Sequence, residues 1–152
     1  MIKLPAHYVN DLSLASEGRK RISWADNQMP VLNLIKKRFS KEKPLQKIKI
    51  DLSCHITAET AILAQTLKSG GADVLLHSGN PVSTQDDVAA SLVKDFFFKV
   101  FGARDIKSEI NKKNVIFAIE RRPDIAIDDG AEFISVIYKK HENIAKKMLG
   151  GT

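Results

Sequence analysis

The chain of 152 residues contains a single cysteine, Cys54. One cysteine excludes an internal disulfide and a zinc site built from several thiolates. No stretch approaches the roughly 20 consecutive apolar residues that a membrane-spanning helix needs, and the first residues lack an apolar signal core. We therefore expect a cytoplasmic protein in a reducing compartment, without a membrane partner.

The eight glycines do not form a G-x-G-x-x-G or a P-loop pattern. The chain therefore has no recognisable cradle for a dinucleotide or a triphosphate, and any nicotinamide cofactor is expected to bind elsewhere. The sequence also lacks internal repeats, low-complexity tracts and linkers that would divide it. Its length suits one domain over residues 1–152, with a loose arm at residues 1–10 and a loose end at residues 150–152.

The formal net charge of +6 comes from 24 lysines and arginines against 18 acidic residues. The basic residues are scattered through helical stretches and are not interleaved with aromatic residues, which a base-stacking surface would require. A charge run of this kind is usually the solvated face of a helix. We expect no nucleic-acid partner, and the attraction of small anionic ligands is the milder interpretation.

Apolar periodicity predicts strands that alternate with helices. Two helices over residues 11–39 are expected to meet near Pro30. Further helices are predicted over 57–67, from a cap at Ser83 or Thr84 to about Lys94, and from Asp105 to about Arg121, with strands over 47–52, 72–77, 96–101 and 124–127. This alternation predicts a three-layer α/β fold, Rossmann-like or flavodoxin-like, with a parallel sheet covered by helices on both faces.

Three polar runs each follow a predicted strand. They are Ser53-Cys54-His55-Ile56-Thr57-Ala58-Glu59-Thr60, Asn80-Pro81-Val82-Ser83-Thr84-Gln85-Asp86-Asp87 and Asp128-Asp129-Gly130. In an open parallel sheet, ligands bind beyond the carboxyl ends of the strands. We therefore expect a histidine, hydroxyls, an amide and carboxylates around one crevice.

Purely structural roles account for parts of these runs. Thr57 with Thr60, and Ser83 with Asp86, have the spacing of helix N-caps, and both pairs can cap a helix and serve a site. The run Asp128-Asp129-Gly130 also has the composition of an ordinary turn. Its position after a strand favours the site interpretation.

Two other chemistries are weaker. Cys54 and His55 are neighbours, so on an extended segment their side chains point to opposite faces and cannot form a thiolate-imidazolium pair. His55 and Glu59 are four residues apart, as metal ligands on a helix can be, but no third ligand is visible. We predict no metal site.

The three runs resemble the N-terminal part of the S-adenosylhomocysteine hydrolases. The resemblance extends, in order and with close spacing, to Gly18-Arg19-Lys20, Met29-Pro30, Glu42-Lys43-Pro44-Leu45 and Arg122-Pro123-Asp124. It implies the reversible, NAD-dependent hydrolysis of S-adenosylhomocysteine to adenosine and homocysteine by an oligomer, commonly a tetramer. It also implies that this chain is the N-terminal, substrate-binding segment of a longer enzyme, that a separate domain absent from this chain binds NAD, and that the segment alone is inactive.

The resemblance assigns roles to individual residues. His55 and Asp129 match the family's catalytic histidine and aspartate, and an imidazole exchanges protons readily near neutral pH. Thr57 and Glu59 match positions that contact the nucleoside. The residues expected to support the same substrate pocket are Asn80, Ser83, Thr84 and Gln85.

The chain departs from the family at two places. Asp87 stands where many members have histidine, and Ala131-Glu132 replaces the more usual Gly-Asp. The first change is similar to archaeal and thermophilic members, some of which prefer an inosine-bearing thioether. An S-inosylhomocysteine hydrolase is therefore an alternative. So are a stand-alone nucleoside-binding or regulatory module without catalysis, and an interaction subunit whose partner supplies the NAD domain.

Overall fold

The structure, a computed structural model, describes residues 6–152. A short 3₁₀ helix, Leu12–Leu14, precedes the first long helix. The helices are α1 (Ala15–Gln28), α2 (Pro30–Glu42), α3 (Ala58–Ser69), α4 (Asp86–Lys94), α5 (Ser108–Glu120), α6 (Glu132–Lys140) and α7 (Glu142–Ala145). The strands are β1 (Lys49–Cys54), β2 (Asp73–Ser78), β3 (Lys99–Phe101), β4 (Ile125–Asp128) and β5 (Gly150–Gly151). Within residues 6–152, no helix combines the length and the apolar character needed to cross a membrane.

All five strands are parallel, in the order β3-β2-β1-β4-β5. This matches the first five strands of the doubly wound Rossmann order, so the parallel α/β prediction is confirmed and the flavodoxin-like alternative is not. The strand β5 was not predicted. Its Gly150 and Gly151 pair with Ile125 and Ala126 of β4, so the expectation of a loose end at residues 150–152 was wrong.

Helices cover both faces of the sheet, as predicted. Successive residues of a strand point to opposite faces. Ile50 and Leu52 of β1 pack in a large apolar cluster with buried residues of α1, α3 and α4. Leu75 of β2 and Ala126 of β4 point to the other face, where α5 and α6 contribute a smaller cluster.

The predicted strand over residues 96–101 is only three residues long. Phe96 N–H and Phe98 N–H donate to carbonyls of α4, and Phe97 has a φ of 56° and is 81% exposed. Residues 96–98 therefore terminate α4, and β3 begins only at Lys99. The apolar composition predicts a strand there. In the structure, the N–H groups of Phe96 and Phe98 bond to carbonyls of α4 and not to a neighbouring strand.

Other boundaries also differ from the predictions. The helix expected from Asp105 begins at Ser108. The N-cap position of α4 is Gln85, so neither Ser83 nor Thr84 caps that helix.

Residues 6–10 are not loose. Tyr8 N–H donates to the Val100 carbonyl over 2.8 Å, and Gly102 N–H donates to the Tyr8 carbonyl over 2.9 Å. Tyr8 thus lies parallel to Phe101 beside β3. The part of the predicted loose arm at residues 1–5 lies outside the described residues.

Candidate functional site

The predicted crevice lies where the strand order reverses. From β1 the chain proceeds to β2 and β3 on one side, and then places β4 on the other side of β1. His55 follows β1, and Asp129 follows β4. Asp129 N–H donates to the Ser53 carbonyl over 2.9 Å, which fixes the two loops against each other. This point, beyond the carboxyl ends of the strands, is the usual ligand position in such sheets.

His55 and Asp129 are in direct contact. The distance from His55 Nε2 to Asp129 Oδ2 is 3.3 Å. The side chains are 41% and 64% exposed, respectively, so a ligand from solvent can reach both. The sequence predicted a histidine and a carboxylate in one crevice, and the fold brings these two together.

The other ring nitrogen of His55 is held by Ser83. His55 Nδ1 is hydrogen-bonded to Ser83 Oγ, and the Ser83 hydroxyl donates its proton to the Asn80 carbonyl over 3.0 Å. In the arrangement in which the hydroxyl proton goes to the Asn80 carbonyl, Ser83 Oγ accepts and His55 Nδ1 is the donor. The other ring nitrogen, Nε2, lies next to the Asp129 carboxylate and is the atom that can gain or lose a proton there.

The contact between His55 Nε2 and Asp129 Oδ2 can become a hydrogen bond only with one proton between the two atoms. With Nδ1 protonated, Nε2 of neutral imidazole carries a lone pair, and so does the oxygen of an ionised carboxylate. A hydrogen bond between Nε2 and Oδ2 thus needs one proton, either as imidazolium or as carboxylic acid. Such a pair can give a proton to a ligand atom and take one back.

Asn80, Thr84 and Gln85 fasten the loop between β2 and α4. Asn80 Oδ1 accepts from Val82 N–H over 3.1 Å, and the buried Thr84 hydroxyl is hydrogen-bonded to Ser78 Oγ over 2.8 Å. Gln85 Oε1 accepts from the backbone N–H at position 58 over 3.2 Å. These contacts hold Ser83 in position beside His55, and they link the loop to the start of α3.

Thr57 and Glu59 lie at the start of α3. Thr57 Oγ1 accepts from Thr60 N–H over 3.5 Å, which confirms the predicted cap. Glu59 is exposed in the first turn and forms no side-chain hydrogen bond with any residue in 6–152. Thr57 N–H donates to the His55 carbonyl over 3.0 Å, but within residues 6–152 neither side chain is hydrogen-bonded to the side chain of His55 or Asp129. Their carboxylate and hydroxyl nevertheless lie on the segment that follows His55.

The two adjacent carboxylates at the end of β4 have different surroundings. Asp128 is 8% exposed, and its Oδ2 accepts from Ile134 N–H, in the first turn of α6, over 2.8 Å. Asp129 is exposed and turns towards His55. The turn and site interpretations of this run therefore both hold. Sequence reasoning missed the anchoring role of Asp128, for which only its place at the end of a buried strand was a signal.

The first strand-to-helix turn does not fit a dinucleotide. It contains no glycine, and two side-chain oxygens, Gln85 Oε1 and Thr57 Oγ1, already accept from the backbone N–H groups at the start of α3. These are the donors that a pyrophosphate would use. The chain therefore offers no NAD site at this turn.

Cys54 and metal ligation contribute nothing further to the site. Burial raises the pKa of the Cys54 thiol, whose Sγ donates to the Ile127 carbonyl over 3.6 Å. In the part of the chain that the structure describes, no three histidine, cysteine or acidic side chains are arranged to hold a metal ion.

Comparison with known proteins identifies close relatives. The family model described as S-adenosyl-L-homocysteine hydrolase matches residues 6–150. The chain is 54% identical over 143 residues to the adenosylhomocysteinase of Aquifex aeolicus, with 94% of this chain and 34% of the relative covered. It is 45% identical over 146 residues to that of Thermosynechococcus vestitus, with 96% and 34% covered.

A relative with a different name is similar over the same region. The S-inosyl-L-homocysteine hydrolase of Methanocaldococcus jannaschii is 41% identical over 143 residues, which cover 94% of this chain and 34% of the relative. The chain thus spans about a third of the length of the curated relatives that it matches.

Proposed function

Because this chain belongs to the S-adenosyl-L-homocysteine hydrolase family, we propose that it is the substrate-binding N-terminal part of a nucleoside thioether hydrolase. The complete enzyme would convert S-adenosylhomocysteine and water reversibly to adenosine and homocysteine. The observation that carries this proposal is the contact between His55 Nε2 and Asp129 Oδ2, at the point where the strand order reverses. We propose that this pair, which solvent can reach, holds and exchanges one proton.

In this reaction a C5′–O bond replaces the C5′–S bond, and the His55–Asp129 pair first gives a proton and then takes one back. Loss of the C4′ proton to a base of the complete enzyme, next to the oxidised 3′ carbon, lets the C5′–S bond break as a C4′=C5′ double bond forms, and the His55–Asp129 pair donates the proton that the departing sulfur needs. When water forms the new C5′–O bond, the water proton returns to the pair. Ser83, fixed by the Asn80 carbonyl, keeps the imidazole oriented through both transfers. The pair is regenerated, and no net proton is consumed.

The remaining site residues are proposed to bind rather than react. Thr57 and Glu59 would hydrogen-bond the nucleoside, and Asn80, Thr84 and Gln85 would hold the loop that carries Ser83. NAD is the proposed cofactor of the complete enzyme, bound by residues outside this chain because the first turn is already filled. We also propose a cytoplasmic homo-oligomer, such as a tetramer.

An inosine-bearing thioether is the second candidate substrate. The similarity to the Methanocaldococcus jannaschii protein favours it. Asp87, the residue that suggested it from sequence, instead accepts from Arg21 Nε over 2.8 Å and links α4 to α1. The packing role of Asp87 weakens its use as a base contact, so S-adenosylhomocysteine remains the first choice.

The test uses protein expressed from the complete coding sequence. We expect release of the homocysteine thiol from S-adenosylhomocysteine, faster than from S-inosylhomocysteine. His55→Asn and Asp129→Asn should each lower kcat about 100-fold or more, as loss of acid-base catalysis does. Glu120→Gln makes the same carboxylate-to-amide change at an exposed position at the end of α5 and should leave kcat unchanged.

Three results would contradict parts of the proposal. Faster turnover of S-inosylhomocysteine would reverse the base preference. Binding of either thioether without any thiol release would favour a nucleoside-binding module. Unchanged kcat in both variants of the pair would remove His55 and Asp129 from the reaction.

A further inference from the structure

A cavity lies at the opposite end of the sheet from His55 and Asp129. Its volume is about 280 Å³, and it is lined by Lys49, Arg122, Pro123, Asp124, Asn143, Ile144 and Lys147. Lys49 begins β1 and Asp124 precedes β4, so the cavity is at the amino ends of these strands. The six residues of β1 separate the two places by roughly 20 Å.

Positive charge dominates this cavity. Lys49, Arg122 and Lys147 contribute three cations, and among residues 6–152 none of them forms a salt bridge. The one carboxylate, Asp124, already accepts the backbone N–H of Lys49 over 2.8 Å. By contrast Lys146, the neighbour of Lys147 outside the cavity, is paired with Glu142 at 2.8 Å. The cavity thus presents cationic donors that no side chain neutralises.

The backbone at Arg122 is in the left-handed region. Its φ is 56°, just after the end of α5, where glycine is the residue that adopts this conformation without strain. Arginine adopts this conformation only with backbone strain. The Arg122 side chain lines the cavity. Lys43 has the same backbone conformation but lies outside the cavity, so the position of the side chain is what distinguishes Arg122.

We propose that this cavity binds the phosphoryl groups of a small anion, namely a small phosphate ester or inorganic pyrophosphate. The planar Arg122 guanidinium suits two phosphate oxygens, and the two lysines supply compact charges. Pro123 and Ile144 provide an apolar wall for a short organic part. A volume just below the range for drug-sized ligands limits the ligand to this size. The proposal does not depend on the proposed hydrolase function.

Titration of the 152-residue chain tests the site. Inorganic pyrophosphate and glycerol phosphate are titrated separately by calorimetry, at constant ionic strength set with chloride, and amide shifts are followed by NMR. We expect saturable binding of at least one probe at one site per chain, with shifts at Lys49, Asp124 and Lys147. The probe that binds more tightly identifies the inorganic or the organic source.

Two matched pairs of variants separate a built site from general charge attraction. Arg122→Gly and Lys43→Gly each remove one positive charge at a left-handed residue, with φ of 56° and 50°, but only Arg122 lines the cavity. Arg122→Gly should weaken binding at least tenfold, and Lys43→Gly less than twofold. Lys147→Gln and Lys146→Gln should differ in the same way, and they involve no backbone change.

The proposal is overturned if both members of each pair weaken binding equally, if binding of both probes fails to saturate, or if the amide shifts lie away from the cavity. Circular dichroism verifies that each variant is folded. If Arg122→Gly is unfolded, the comparison of Lys147→Gln with Lys146→Gln tests the proposal instead.

Discussion

His77 is buried without a polar partner. It is 1% exposed, its ring packs edge-on against Phe133 with centroids 4.5 Å apart, and neither ring nitrogen has a hydrogen-bond partner within the described residues. Burial lowers the pKa of His77 to about 4, from an ordinary value of 6.5. The folded protein therefore holds this imidazole neutral over a pH range in which the unfolded chain protonates it.

This burial predicts a pH dependence of stability. Between pH 6.5 and about 4 the unfolded chain binds a proton at His77 and the folded chain does not, so the free energy of unfolding falls as pH falls through that range. The full loss is about 3 kcal/mol, and it is absent above pH 6.5. His77→Phe should remove this contribution. Urea unfolding at several pH values, compared between wild type and variant, measures it.

A second buried group, Asp51, changes the free energy of unfolding with pH in the opposite direction. The effect of His77 is therefore measured as the difference between wild type and variant at each pH. Burial raises the pKa of Asp51 to about 7, although the Arg121 guanidinium opposes this. That contribution to stability is present below the unfolded pKa and is lost as pH rises towards 7. It is common to wild type and His77→Phe and cancels. His141→Phe, at a half-buried histidine, is the control, and an unchanged slope in His77→Phe would contradict the prediction.

Single residues of the site were predictable to the extent that strand ends determine their position. His55 and Asp129 follow adjacent strands, and the parallel sheet brings them to within 3.3 Å. The bond from His55 to Ser83 depends on the path of a loop, which no periodicity encodes. Asp128 anchors α6 and Asp129 contacts His55 because the first is buried and the second is exposed. The sequence alone does not show this difference in burial.

At the scale of the element, α1 and α4 approach each other closely at Gly18. A Cβ atom on Gly18 would lie 1.8 Å from the Asp87 carbonyl oxygen, an overlap that no rotamer relieves. Alanine improves helix propensity by about 1 kcal/mol, but the two helices would have to separate, at a cost of about 1–3 kcal/mol or more. Because the overlap is with backbone, the cost lies at the upper end of this range, and we predict that Gly18→Ala lowers the free energy of unfolding by about 2 kcal/mol net.

Urea unfolding also measures this effect. Ser23→Ala, on the exposed side of α1, makes a helix-favouring change away from the contact and should be neutral or slightly stabilising. A Gly18→Ala protein as stable as wild type would show that α1 and α4 tolerate a wider spacing.

Whole elements were predicted best where their own residues determine them. The helices α1, α2 and α3 have clear apolar periodicity, and their predicted positions were correct within a few residues. The strand β5 consists of two glycines, which have no apolar pattern, and exists only through its pairing with β4. The shortened β3 shows the converse, since residues 96–98 have strand composition but terminate α4.

At the scale of the whole molecule, the two faces of the sheet are unequally packed. The cluster beneath α1, α3 and α4 is the larger one and includes residues of β1, β2 and β3. The buried residues of the other cluster are Leu75, Phe101, Ala118, Ile119, Ala126, Phe133 and Ile137. Beside it, α7 has four residues and no buried side chain, and β5 has two exposed residues at the sheet edge.

This asymmetry predicts the order of local unfolding. Because local stability follows buried apolar contact, native-state hydrogen exchange should be slowest in β1, β2, α3 and α4 and at least about tenfold faster in α6, α7 and β5. Low concentrations of urea should leave the exchange rates of the fast group nearly unchanged. They should increase the exchange rates of the slow group, which exchanges only when the whole protein unfolds. Equal protection across both faces would instead mean that the sheet and all its helices open as one cooperative unit, with the smaller cluster fully coupled to the larger.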